Sequence, residues 1–63
     1  LSNAMNQLTE DQREVLVMRF VAGMPIAEVA RVLDRSEDAI KGLQRRGLTA
    51  LRQILTEWEI YYA

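Results

Sequence analysis

"LDRSEDAIKGLQRR", residues 33–46, is the stretch on which the fold turns. It holds no proline, and its one glycine, Gly42, sits deep inside an otherwise helical pattern. Read as a continuation of the helical spacing of Ile26, Val29, Ala30 and Leu33, it would need its next inward residue at Ser36 or Glu37, and neither is apolar. The stripe breaks there. Ser36 is an N-cap residue type, Glu37 and Asp38 follow where a helix start favours negative charge, and Asp34 tolerates the left-handed conformation. The stretch therefore reads as two helices joined by a corner at residues 34–36.

Working outward, "LTEDQREVLVMRFVAG" predicts a first helix over about residues 10–22. Thr9 caps it, with Gln12 three residues on as in a capping box, and Gly23 supplies the left-handed stop. Its apolar stripe is expected at Leu16 and Phe20, with Val15 and Val17 on the shoulders. Met18, Met24 and Phe20 read as ordinary core rather than a ligand box. Pro25 suits the start of the second helix, because its missing N–H would have had no intrahelical partner there. From Ser36 a third helix places Ile40, Leu43, Gly47, Leu51 and Ile54 on one face and runs to about residue 57 or beyond. In the tail "EWEIYYA", Trp58, Ile60, Tyr61 and Tyr62 either fold back on the first helix or form a sticky surface.

Composition narrows the function classes. The 63 residues suffice for one small domain, and a chain of this size hides only about 60% of its unfolded surface on folding. Without cysteine or histidine, a disulfide framework, the usual zinc sites and a histidine- or cysteine-based nucleophile pair are excluded. No cofactor is expected, and no glycine-rich phosphate loop or metal spacing is present. Glu10, Asp11 and Glu14 read as an exposed helix start rather than a catalytic set, so no enzyme is expected. There is no apolar run of membrane-spanning length and no secretory signal, which points to a cytoplasmic protein with no membrane partner. "LSNA", residues 1–4, looks like an expression-vector remnant, leaving residues 5–63 as a single domain.

The net charge of −1 hides a polarised chain. Residues 31–52 carry six cations against three carboxylates, a net +3, whereas the remainder carries two against six, a net −4. The basic half contains the corner and the third helix. Apolar Val29, small Ala30, apolar Leu33, corner Asp34, then Ile40 and Leu43 meet the needs of a helix-turn-helix: close backbone approach, a left-handed bend and two inward anchors. Stepping about 100° per residue from the inward face sets Asp38, Gly42, Arg45 and Thr49 outward, flanked by Lys41 and Arg46. Arginine or lysine there can donate to guanine O6 and N7 or to phosphates, and Gly42 lets backbone approach DNA. Ser36 with nearby N–H groups suits a phosphate. Gln44 lies nearer the inward edge, a secondary candidate for base contact.

With those residues in place, "LTEDQREVLVMRFVAGMPIAEVARVLDRSEDAIKGLQRRGLTALR", residues 8–52, closely resembles region 4 of bacterial sigma factors, above all the extracytoplasmic-function (ECF) group. The most specific pieces are "LTEDQREVLVMRF", "GMPIAEVA" and "AIKGLQRRGLTALR". The resemblance implies an all-α, three-helix helix-turn-helix domain that docks its second HTH helix on the promoter minus-35 element while core RNA polymerase holds the factor. It implies promoter DNA and core RNA polymerase as partners, with an anti-sigma factor as a further one. Carried over residue by residue, it implies a DNA face of Ser36, Glu37, Asp38, Lys41, Gly42, Arg45 and Arg46. Pro25 stands where the family commonly has a serine cap, Asp34 where it has glycine, Arg35 where it has an aliphatic residue, and Asp38 where glycine is frequent. A carboxylate at Asp38 repels phosphates unless it accepts from a cytosine amino group, so the minus-35 preference stays open. Two alternatives stand beside this reading: a LuxR-type response-regulator DNA-binding domain, and a module that binds an anti-sigma factor or polymerase without touching DNA.

Overall fold

Thr9 starts the first helix by reciprocal capping: its Oγ1 accepts from Gln12 N at 3.1 Å, and its own N–H donates to Gln12 Oε1 at 3.3 Å. Two N–H groups that a helix start leaves without partners are thus satisfied. Glu10 and Asp11 in the first turn add favourable charge. In the computed structural model, which describes residues 8–62 and the side chains of residues 8–59, this helix, α1, spans Glu10–Leu16. The vector-like residues 1–4 lie outside that range.

Beyond Leu16 the chain departs from the expected α-helix. Val17–Val21 is a π-helical turn, closed by Ala22 N donating to Val17 O at 2.9 Å. The wider turn changes the angular position of every side chain after Leu16. Val15, fully buried and still within the α-helical segment, is the centre of the helix's inner face, and Met18 packs beside it. Phe20, expected inside, is 57% exposed, and Val17 and Val21 are exposed with it. Gly23 then stops the segment at φ 71°, with Met24 N donating to Met18 O at 2.9 Å.

Pro25 stands at the N-cap of α2, Ile26–Leu33, and its carbonyl accepts from Glu28 N and Val29 N at 3.0 and 3.1 Å. The bend forms as the sequence predicts. Asp34 has φ 55° and ψ 51°, the only left-handed non-glycine residue among those described. Asp34 N donates to Arg31 O and Arg35 N to Ala30 O, at 3.3 and 2.9 Å, which is the Schellman arrangement that satisfies a helix's last carbonyls. Ser36 then opens α3, Glu37–Tyr62, a 26-residue rod.

Val15, Val29, Ala30, Ile40 and Leu43 form the main buried cluster, ringed by Met18, Met24, Ile26 and Leu33. All three helices contribute to it. A second cluster, Leu8 and Ile54 with Leu16 and Ala50, joins the start of α1 to the middle of α3. Leu51, expected on the inward face, sits at its rim and is 36% exposed. It falls one step too far round α3 from the line through Ile40, Gly47 and Ile54. The tail does not turn back, since α3 carries the backbone unbroken to Tyr62 and leaves Trp58 47% exposed. The side chains of Ile60, Tyr61 and Tyr62 lie outside the described residues. No helix of the described residues is long and apolar enough to cross a membrane.

Candidate nucleic-acid interface

The outer side of α3 begins at Ser36, whose Oγ accepts from Ala39 N at 3.1 Å. The hydroxyl hydrogen is left to donate outward, to a phosphate among other acceptors. Glu37, Asp38, Lys41, Arg45 and Arg46 are all exposed, and Gly42 is half-buried among them. The seven residues expected to form the DNA face therefore lie together on the first three turns of one helix. Six of them are open to solvent.

Gly42 has a local role. A Cβ at this position would stand 3.5 Å from Arg46 Nη2, so the guanidinium of Arg46 lies back across the glycine. One turn further on, Thr49 Oγ1 donates to Arg45 O at 3.0 Å and turns its side chain toward the helix backbone. Beside this face runs a shallow groove lined by Lys41, Gln44, Arg45, Leu48, Thr49 and Arg52. Three cations and no carboxylate line it, so its field attracts anions.

Two side-chain interactions reach from the first helical segment to the corner and to the rod, and neither was visible in the sequence. Arg35 Nη2 meets Asp11 Oδ2 at 2.7 Å, tying the helix-turn-helix corner to the first turn of α1. Arg19, on the π-helical turn, reaches further. Its Nη1 donates to Met24 O at 2.7 Å and its Nε to Gln44 Oε1 at 3.0 Å, with the guanidinium 5.6 Å from the centre of the Phe20 ring. One half-buried cation thereby links the end of the first helical segment, the approach to α2 and the middle of α3. A lone arginine inside the apolar run "VLVMRFV" was the available signal. Its direction could not be read without the widened turn.

A second surface is apolar. Between α1 and α3 a groove is lined by Leu8, Leu16, Val17, Phe20, Leu48 and Leu51 among others. Leu55 and Trp58, both exposed, follow on α3 at helical spacing.

The family model described as sigma-70, region 4 matches residues 4–53. The chain is 46% identical over 50 residues to the ECF RNA polymerase sigma factor SigX of Bacillus subtilis (strain 168), a match covering 79% of this chain and 26% of the relative. It is 39% identical over 57 residues to the ECF RNA polymerase sigma factor BldN of Streptomyces coelicolor, covering 90% and 22% respectively. The chain thus spans about a quarter of the length of these curated relatives. No solved structure matches it significantly.

Proposed function

The chain belongs to the sigma-70 region 4 family, a sigma-factor DNA-binding module, and on that premise we propose that it recognises the promoter minus-35 element by laying α3 in the major groove. The observation that carries this reading is the set of exposed cations Lys41, Arg45 and Arg46 on the first turns of a helix projected by a tight left-handed corner at Asp34. A B-DNA major groove is wide enough for one helix. In this reading Arg45 and Arg46 reach base edges or phosphates, Lys41 neutralises phosphate, Ser36 donates to a phosphate, and Gly42 allows close approach. Asp38 accepts from a cytosine amino group, and Glu37 shapes the rim. The role is one of binding in the cytoplasm, not of catalysis, and residues 5–63 serve as its single domain.

A protein partner belongs to the same reading. Its support is the uncovered apolar groove, with Phe20 57% and Val21 80% exposed, which is larger and more continuous than scattered surface residues. We assign this side to core RNA polymerase, with an anti-sigma factor competing for it. DNA and polymerase can then be held at once, because Lys41 and Arg45 line one groove and Phe20 and Leu51 another, the two sharing Leu48.

Binding of labelled minus-35 duplexes across a salt series tests the proposal. Major-groove docking by several cations gives an affinity that falls steeply and log-linearly with salt. Absence of binding at every salt concentration, with the apolar groove still capturing polymerase, would leave the protein-interaction reading in its place.

A further inference from the structure

Gln44 carries both a hydrogen-bond acceptor and a pair of donors, and the structure uses only one end. Its Oε1 is taken by the charged Nε of Arg19 at 3.0 Å. Its Nε2 has no partner among the described residues, yet it is not a buried, unsatisfied atom. That amino group therefore opens to solvent from a residue that lines the basic groove beside Lys41 and Arg45. Arg19 is itself anchored by a second bond to Met24 O at 2.7 Å, so it cannot follow a flip of the amide without losing a charge-assisted contact. A flipped amide would also point its NH2 at the guanidinium, donor against donor.

Building on the minus-35 reading, we infer that Gln44 is a specificity-determining residue locked by Arg19 into a donor-only orientation, so that it selects guanine rather than adenine. Glutamine recognises adenine by pairing both amide ends, accepting from N6 and donating to N7. Here the accepting end is committed to a cation inside the protein. What remains is a donor pair flanked by two positive side chains, which matches the N7 and O6 acceptors of a guanine edge. Arg19 touches no base in this scheme; it is a positioning residue acting through Gln44.

The test is selection of binding sites by the 63-residue chain from a randomised duplex library at low salt, comparing the unaltered protein with Gln44→Glu, Gln44→Ala and Arg19→Met. Gln44→Glu keeps the bond to Arg19 but replaces the donors with an acceptor. The expected result is one position enriched in guanine by about tenfold over adenine in the unaltered protein. That position moves to cytosine in Gln44→Glu and becomes indifferent in Gln44→Ala. In Arg19→Met, whose helical circular dichroism reports whether it folds, adenine becomes acceptable at that position. Should Arg19→Met fail to fold, the guanine-to-cytosine change in Gln44→Glu decides alone. Selection of the same sequences by the unaltered protein and Gln44→Glu overturns the inference while leaving DNA recognition standing. Selection of no sequence by the unaltered chain removes the minus-35 reading and this inference together.

Discussion

Gly47 on α3 and Leu16 on α1 are in near contact through the space where a side chain would begin: a Cβ at Gly47 would stand 3.0 Å from Leu16 Cδ1 and 3.2 Å from its Cγ. The same Cβ would be 3.4 Å from Gln12 Cβ, on the backbone side of α1. The two helices cross closely at this point because the glycine has no side chain. Gly47→Val introduces two further methyl groups into that gap, and overpacking of this kind costs about 1–3 kcal/mol. A lower urea midpoint with unchanged slope is the expected measurement. An unchanged midpoint means that α1 and α3 can part freely there.

Asp34 supplies a second prediction. Its left-handed backbone costs an ordinary L-residue about 1–2 kcal/mol, less for aspartate, and a β-branched side chain fares worst. Asp34→Val is expected to lower stability by about 1–2 kcal/mol, and Asp34→Gly to leave it equal or higher. Thermal unfolding of both variants checks the order. Equal melting temperatures for valine and glycine would mean that the corner relaxes into another conformation.

Charge on the outer face of α3 sets the third. Arg45 is exposed and belongs to neither buried cluster, so Arg45→Ala is expected to weaken promoter binding while leaving the melting temperature nearly unchanged. The slope of log affinity against log salt should become shallower by about 0.9 if Arg45 neutralises one phosphate. Asp38→Asn removes a carboxylate from the same face and is expected to strengthen binding to duplexes lacking a suitably placed cytosine. Identical affinity of Arg45→Ala and the unaltered protein would remove Arg45 from the interface.

The pair between Asp11 and Arg35 looks strong by its 2.7 Å distance, but the side chains are 50% and 43% exposed. Exposed pairs of this type contribute between zero and about 1 kcal/mol. Asp11→Asn is therefore expected to change the urea midpoint little, with the small difference vanishing at high salt. A loss well above 1 kcal/mol would show that this link, rather than the buried clusters, orients the corner.

The corner at Asp34, the cap at Ser36, the capping box at Thr9 and the stop at Gly23 could all be read from residues within a few positions of one another. So could the outer placement of Lys41, Arg45 and Arg46, because helical rotation over two turns accumulates little error. The misreadings concern which way a side chain faces. Phe20 was expected inside and Leu51 on the inner face, yet both lie toward solvent. The widened turn at Val17–Val21 accounts for Phe20, and no local residue announces it; Leu51 lies on α3, one step round from the line through Ile40, Gly47 and Ile54.

Backbone chemistry acting over three to six residues, such as caps, left-handed stops and apolar periodicity, is written directly into the order of amino acids, and it sufficed to specify a helix-turn-helix with a basic outer rod. The contact between Arg19 and Gln44 spans 25 positions and depends on how α1 crosses α3, how far the π turn swings the arginine, and where Met24 leaves its carbonyl. Those are properties of packed volumes. Which end of Gln44 faces solvent follows from that packing and could not be read off the chain in advance.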